Sequence, residues 1–233
     1  MGKRLRTQRR GKGSRTYSSP SHRHRGPVHL PKMDDLDGVV VDLVHSPGHT
    51  APLAKVRFGE NDVFMLASDG LQIGETVSIG KVSVERGHVL PLGRIPESTL
   101  IFNVESKPGD GGKFARSAGT AAMVLSHGTR TVVRLPSGKF RSFDPKCRAM
   151  VGVVAGSGRG EKPFAKAGKK VQALRSRAKA PFKTSGVAMN PVNHPHGGGS
   201  HQHVGKPSTV SANAPPGRKV GRLSSKKKKM KRR

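Results

Sequence analysis

All acidic residues of this 233-residue chain lie in one central stretch, and this partition constrains its fold more than any motif does. Residues 1–32 contain 10 Lys or Arg and no Asp or Glu, and residues 162–233 contain 19 and again none. The 14 acidic residues therefore share residues 33–161 with the remaining 15 basic ones. Because like charges repel and charged side chains resist burial, the pattern predicts a nearly neutral globule with two extended basic arms.

The arms are rich in Gly, Pro, Ser, Lys and Arg and poor in large apolar residues. Burial cannot offset the conformational entropy lost on ordering such segments, so we predict that they do not fold on their own. Stretches such as "SHRHRGPVHLP" place Pro, Gly and His irregularly, which is typical of a specific extended path. The terminal "KKKKMKRR" also fits a solvated or localisation segment.

A formal net charge of +30 and a pI near 11.5 predict a polyanionic partner. Nucleic acid is favoured, because Lys and Arg gain affinity from the counterions that it releases. The apolar runs are far shorter than the roughly 20 residues of a membrane span. The basic N-terminus lacks an apolar stretch behind it, so no secretory signal is predicted. The single cysteine, Cys147, excludes an intramolecular disulfide and fits a reducing cytosol.

The middle of the chain has the pattern of short β-strands. A β-branched run over Val39–Val44 ends at a Pro-Gly turn signal. Ala54, Val56 and Phe58 then alternate with two cations, which is the period of a half-buried strand.

A second series of strands follows the break at "LPLGRIPEST". In it, Thr131–Leu135 and Lys139–Phe143 flank "PSG" and predict a hairpin. Helix is predicted only as single turns, around Lys113–Ser117 and Val171–Arg177. We predict a mainly β fold of two small barrels in tandem, at residues 33–95 and 96–161, between arms at 1–32 and 162–233.

The motif "KPGDGGKFARSAGT" has the composition of a phosphate-contacting loop. Its glycines and cations are Gly109, Gly111, Gly112, Lys113 and Arg116. Glycines let the backbone approach a phosphate and aim N–H groups at it, while the cations neutralise its charge. A nucleotide-binding P-loop needs Ser or Thr after the Gly-Lys pair, and Phe114 stands there instead. Contact with RNA backbone is the favoured interpretation, and a plain turn is the alternative.

"GSGRGEKP" has the same character, with Arg159 and Lys162 on glycine-rich backbone where the acidic residues end. We interpret it as the exit of the second barrel onto RNA, with an ordinary linker as the alternative. Aromatic stacking is not expected to be the main device, because the chain has 8 Phe, one Tyr and no Trp. Most of these Phe residues fall in strands and are predicted to be core.

The stretch "MNPVNHPHGGGSHQH" allows three interpretations. Two His-x-His pairs suggest zinc ligands, although structural sites usually space their ligands further apart and Cys147 lies in another domain. A catalytic histidine needs an orienting carboxylate, and none follows Glu161. The favoured interpretation is a rigid RNA-threading loop, in which prolines fix the backbone, glycines turn it, and largely neutral imidazoles add contacts more than charge.

Long irregular motifs resemble one family. "APLAKVRF", "GHVLPLGRIPESTL", "KPGDGGKFARSAGT", "RLPSGKFRSF", "MVGVVAGSGRGEKP", "GVAMNPVNHPHGGGSHQHVGKPSTV" and "APPGRKVG" resemble, in this order, segments of the universal large-subunit ribosomal protein two family. The resemblance covers essentially the whole chain. The short N-terminal arm, "GKPSTV" and "APPGRKVG" resemble the archaeal and eukaryotic branch, and the brief tail suits an archaeal member.

The resemblance implies an OB-fold barrel followed by an SH3-like barrel, with both arms threaded through ribosomal RNA. It implies a non-enzymatic, primary rRNA-binding protein in cytoplasmic ribosomes, near the peptidyl transferase centre, that supports subunit association, tRNA binding and peptide bond formation. The family's histidine matching His194 has been proposed to take part in that reaction. Where the family commonly has an acid before it, this chain has Asn193, so no catalytic residue is predicted.

The expected partners are large-subunit rRNA, neighbouring ribosomal proteins and the small subunit, without a membrane or a small-molecule substrate. No cofactor is expected apart from Mg²⁺ ions held by the RNA, and zinc is not expected. A general DNA- or RNA-coating protein is the alternative, and a zinc-dependent enzyme is a third class. The residues predicted to contact RNA are Arg4, Arg6, Arg9, Arg10, Arg15, His22, Arg23, His24, Arg25, Gly111, Gly112, Lys113, Arg116, Arg159, Lys162, Lys169, Lys170, Arg175, Arg177, Asn190, His194, His196, Gly197, Gly198, Gly199, His201, His203, Lys206, Arg218 and Lys219.

Overall fold

The computed structural model describes residues 2–32, 35–80 and 83–224. The chain divides into two compact units, which are named here by their content. The β unit is Pro20–Ala165, and the terminal unit combines Met1–Ser19 with Lys166–Arg233. The Lys-rich end at 226–233, for which a localisation role was considered, lies outside the described residues. Within the described ranges, no helix is long and apolar enough to cross a bilayer.

The β unit confirms the mainly β prediction. Its strands are β1 Leu36–Val44, β2 Leu53–Phe58, β3 Asn61–Leu66, β4 Thr76–Ile79, β5 Val89–Pro91, β6 Leu100–Phe102, β7 Ala122–Ser126, β8 Thr131–Arg134, β9 Phe140–Phe143 and β10 Arg148–Val151. They form one sheet in the order β3-β2-β1-β4-β5-β10-β6-β7-β8-β9. The pairs are antiparallel except for β4 with β5. Short 3-10 turns at Ser21–Arg23 and Leu92–Arg94 complete the unit.

The period-two pattern located the strands correctly. In β2, Ala54, Val56 and Phe58 are buried, whereas Arg57 between them is exposed. The predicted hairpin is also present as β8 and β9. Its loop is closed by the Leu135 N–H, which donates to the Lys139 carbonyl at 2.9 Å. Alternating burial is therefore a reliable guide where one face of a strand packs on the core.

Two hydrophobic clusters fill the β unit. The first is built mainly by β1 to β4, and the second mainly by β6 to β9. Phe102 and Met150, from the later strands, pack in the first cluster, while Leu90 and Leu92 from before residue 95 pack in the second. The two clusters are thus interlocked through β5, β6 and β10, and the barrel types and the division at residue 95 stay predictions.

The last part of the predicted N-terminal arm belongs to the β unit. Val28 and Leu30 are only 8% and 1% exposed and pack in the first hydrophobic cluster. The Leu30 N–H donates to the Gly111 carbonyl at 3.1 Å. Because these two apolar side chains are buried in the core, residues 20–32 fold with the strands. The predicted arm is therefore divided after Ser19.

The helices differ from the prediction in three places. The turn expected at Lys113–Ser117 is wrong, because Phe114 forms a bridge with Val104 and Ala115 has a φ of 50°, outside the right-handed helical region. The turn expected at Val171–Arg177 is part of a longer helix, α2, Ala167–Arg175. An unpredicted short helix, α1, covers Arg6–Gly11.

The terminal unit is ordered with almost no apolar core. Leu5, at 8%, is the only buried residue among its described residues. A backbone hydrogen bond instead joins its two chain segments, in which the Lys3 N–H donates to the Val192 carbonyl at 2.7 Å. Two short parallel strands, β11 Thr209–Val210 and β12 Arg222–Leu223, pair within the C-terminal segment. The predicted scarcity of burial is correct, but the arms also hydrogen-bond to each other.

Candidate nucleic-acid interface

The glycine-rich loop at residues 106–113 folds around an internal carboxylate. Glu105 is fully buried and accepts hydrogen bonds from the N–H groups of Gly109 and Gly111, each at 3.1 Å. It also accepts the backbone N–H of Arg148 at 2.9 Å and pairs with that residue's guanidinium at 3.0 Å. The expected mode of contact is therefore wrong for these N–H groups: they bind Glu105 and are not aimed at a phosphate.

Of the remaining predicted residues of this loop, Gly112 is packed inside the protein and Lys113 is exposed to solvent. The Gly112 N–H donates to Asp110 at 3.2 Å, and a methyl group on Gly112 would lie 2.6 Å from the Asn103 carbonyl oxygen. Burial disfavours the charged form of Asp110, but hydrogen bonds from Gly112 and Lys113, among others, outweigh it and lower the pKa of the carboxyl. Lys113 stays exposed, with its ammonium 3.2 Å from Asp110. Lys107 is exposed as well, so both lysines of the loop can offer charge to a partner.

Arg116 faces the protein and not the solvent. Its guanidinium donates to the Gly112 carbonyl at 2.9 Å and to the Val28 carbonyl at 2.7 Å. Burial lowers the pKa of Arg116, though it stays protonated at neutral pH. Arg116 therefore links Val28 to the glycine-rich loop through hydrogen bonds, a role that its position in the motif did not reveal.

The histidine-rich loop in the terminal unit is a compact double turn. The Asn190 carbonyl accepts the N–H groups of Asn193 and His194, at 2.9 and 3.2 Å. The Met189 carbonyl accepts the N–H of Gly198 at 3.1 Å. The glycines permit this closure, since Gly198 has a φ of 89°, a conformation that side chains disfavour.

His194 is held as a neutral ring by its own loop. Its Nδ1 accepts the N–H of His196 at 3.1 Å, which leaves Nε2 as the protonated nitrogen. The two rings meet edge to face with 5.0 Å between centroids. Burial, and then the neighbouring His196, lower the pKa of His194. The ring is therefore neutral at pH 7 and offers hydrogen bonds without charge, as the sequence suggested.

The described residues around this loop include no group of three metal-ligating side chains and no carboxylate side chain of the terminal unit. Within residues 2–32, 35–80 and 83–224, no three or more His, Cys, Asp or Glu side chains come close enough to hold a metal ion. His201 and His203 are exposed. The terminal unit contains no Asp or Glu, so it supplies no carboxylate to orient His194.

Two hollows on the terminal unit bring predicted contact residues together. Arg4 and His194 line one of about 310 Å³. His196, Lys206 and Arg218 line another of about 630 Å³. The first hollow combines residues from both chain ends, whereas the second is formed within residues 195–220.

The predicted cations of the terminal unit lie mostly at its surface. Exposed ones are Arg4, Arg6, Arg9, Arg10, Arg15, Lys169, Arg175, Lys206, Arg218 and Lys219, while Lys170 and Arg177 are half-buried. Because this unit has no Asp or Glu, none of them can pair with a carboxylate side chain inside it. A unit that is rich in cations and lacks Asp and Glu is typical of polyanion-binding proteins.

The β unit carries fewer of the predicted residues. His22, Arg23, Arg25, Arg159 and Lys162 are exposed. His24 is half-buried, with its ring centroid 6.4 Å from that of His49. The exposed cations Arg130, Arg134 and Lys139, which lie in or beside β8 and β9, were not among the predicted contact residues. The absence of Asp and Glu from residues 111–143 could have revealed them.

Comparison with known proteins assigns the chain to a family. The profile described as "Ribosomal Proteins L2, C-terminal domain" matches residues 85–218. The protein named large ribosomal subunit protein uL2 from Methanothermobacter thermautotrophicus is 50% identical, over 97% of this chain and 98% of its own length. The uL2 protein of Thermoplasma acidophilum is 51% identical over 99% of both chains. The chain belongs to the L2 family of ribosomal proteins, in its archaeal branch, as its motifs predicted.

A substitution at Gly197 tests how closely the histidine-rich loop is packed. A methyl group on Gly197 would lie 2.5 Å from the Asn190 carbonyl oxygen, so Gly197→Ala should force the double turn open. We expect a cost of about 1–3 kcal/mol, typical of overpacking, and faster amide exchange at His194 and Gly198.

Gly168→Ala in α2 is the matched control, because a methyl group there meets nothing within 4 Å. It should leave the exchange of the loop unchanged and slightly stabilise the helix. Equal exchange at His194 in both variants and the parent would show that the loop does not depend on Gly197.

Proposed function

We propose that this protein is a structural, rRNA-binding component of the large ribosomal subunit. The observation that carries the proposal is the acid-free terminal unit, an ordered surface of cations that has no internal carboxylate to neutralise it. The names of its relatives place them in the large subunit, and the chain matches those relatives along nearly its whole length.

The mechanism follows from how such a surface meets RNA. Each Lys or Arg that reaches a phosphate releases condensed counterions, which supplies affinity without reading sequence. Specificity comes from shape, because the cations stand on a backbone fixed by hydrogen bonds such as that of Lys3 with Val192. The unit therefore acts as a spacer that holds RNA segments at set distances.

His194 contributes hydrogen bonds to this surface. Its neutral ring, with Nε2 protonated, can donate to a phosphate, a 2′-hydroxyl or a base edge. The family resemblance suggests that this loop shapes RNA near the peptidyl transferase centre and supports tRNA placement and peptide bond formation. Further partners would be neighbouring ribosomal proteins and the small subunit, with Mg²⁺ held by the RNA. No step requires the protein as an acid or base.

Co-sedimentation tests the proposal. The full chain should stay with large ribosomal subunits through washes at moderate salt, since many phosphate contacts combine with a shaped fit. Sedimentation of a tagged copy from cell extract, before and after nuclease treatment, measures this. A protein that leaves the subunits at moderate salt and follows DNA would instead be a general coating protein.

A further inference from the structure

An aromatic side chain stands exposed on the edge strand of the β unit. Phe140 is 67% exposed although it lies within β9, the last strand in the sheet order. Phe102 and Phe143, by contrast, are almost completely buried. Phe140 is therefore an exception to the prediction that strand phenylalanines belong to the core, and packing does not account for it.

Strand alternation separates the two faces of this hairpin. Arg141 pairs in register with buried Val133, and its guanidinium lies 4.6 Å from the Phe114 ring centroid on the core side. Phe140 pairs with Arg134, and both are exposed on the opposite face. The outer face of the hairpin therefore combines an aromatic ring with a cation.

Every charged residue of the β8–β9 hairpin, residues 131–143, is positive. Residues 111–143 contain six Lys or Arg and no Asp or Glu. In the described part of the chain, Arg130, Arg134 and Lys139 have no salt bridge to a carboxylate. These cations are exposed and available to an anionic partner.

Protection of a sheet edge is the simplest alternative role for such cations, because charged side chains discourage strand pairing between molecules. That role does not explain Phe140, since a large exposed aromatic group promotes association at an edge. An aromatic ring flanked by cations is instead the composition of a platform for unpaired nucleotides, on which a base stacks while neighbouring phosphates meet Lys and Arg.

We propose that the outer face of the β8–β9 hairpin binds an unpaired nucleotide of RNA. The base stacks on Phe140, and the phosphates beside it contact Arg134 and Lys139. This site rests on the proposed rRNA-binding function and adds to it a point of contact outside the terminal unit.

Tryptophan fluorescence tests the contact directly, because the chain contains no Trp. Phe140→Trp should place a single emitter on the platform, and titration with large-subunit ribosomal RNA should quench it as a base stacks. Ile73→Trp is the matched control, since Ile73 is 61% exposed but residues 66–80 around it contain no Lys or Arg. Its emission should change little.

Affinity measured by filter retention completes the test. Phe140→Leu should weaken binding about 5- to 150-fold, the usual contribution of one stacked base, while Phe140→Tyr should keep most of the affinity. Full retention by every variant, without quenching of the Phe140→Trp chain, would overturn the hairpin site and leave the proposed function intact. Retention by none, the parent included, would overturn the proposed function itself.

A protein occupant gives a different result. If the edge strand receives a strand of another protein, emission from the Phe140→Trp variant should change on adding RNA-free ribosomal proteins and not on adding RNA. That outcome would overturn the nucleotide site. Thermal melting of Phe140→Leu should match the parent, because a side chain that is mostly exposed contributes little to the core.

Discussion

Replacing Glu105 by alanine should lower the free energy of unfolding of the β unit by about 3–5 kcal/mol. Arg148 is only 6% exposed and would lose its ion pair with Glu105. The N–H groups of Gly109 and Gly111 and the backbone N–H of Arg148 would also lose their acceptor. Unsatisfied buried donors add to the cost of the lost ion pair, so this substitution should be among the most damaging in the chain.

Further substitutions separate the charge from the hydrogen bonds. Glu105→Gln keeps one acceptor oxygen and should cost less than alanine. Glu105→Leu combined with Arg148→Met removes both charges and should recover part of the loss, because an apolar pair avoids the desolvation penalty. Urea unfolding of the full chain measures each value. Glu60→Ala, at an exposed turn, is the control, and an equal loss there would show that the buried pair does not stabilise the fold.

The same substitution should loosen the segment that leads to the N-terminus. Arg148 donates to the Pro31 carbonyl at 2.7 Å, and Leu30 is bound to Gly111 in the loop that Glu105 organises. Amide exchange at Leu30 should therefore accelerate in the Glu105→Ala variant. Through these contacts a buried carboxylate holds the segment that follows the exposed cations Arg23 and Arg25.

The strands could be predicted from the sequence because their signal is local. Val56 and Phe58 alternate with charged residues, and this pattern can be recognised from residues that are no more than two positions apart. The function of the glycine loop could not be predicted in the same way. Glu105 directly precedes it, yet only the fold shows that this acid is buried and collects the N–H groups that seemed intended for a phosphate.

The terminal unit shows a second limit. Its order depends on hydrogen bonds between chain ends, such as Lys3 to Val192, which no local pattern encodes. The predicted absence of a core followed correctly from composition, since burial needs apolar residues that the arms lack. Steric fits such as Gly197 against Asn190 are likewise invisible until the backbone path is known. The resemblance of motifs drew attention to this loop, and the backbone geometry explains why it needs glycines.

Neutralising the arginines of α1 should weaken RNA binding and its dependence on salt. Arg6, Arg9 and Arg10 are exposed at spacings of three and four residues, so they share one face of the helix. Each phosphate contact contributes about 0.7–0.9 to the slope of log affinity against log salt. Changing all three to Gln should therefore reduce the slope by about 2–3. The affinity lost between 50 and 200 mM salt should shrink by about 20- to 40-fold.

A matched triple variant distinguishes contact from overall charge. Lys55, Arg57 and Arg86 each lie within 4.0 Å of a carboxylate, and their change to Gln removes the same formal charge. Because these cations already have partners, their loss should leave the slope nearly unchanged, although it alters the net charge equally. Filter retention of large-subunit ribosomal RNA over a range of KCl concentrations measures both slopes. Equal reductions in the two variants would mean that total charge governs binding, as in a coating protein. A reduction confined to the α1 variant would mean that the ordered terminal unit meets phosphates at defined positions.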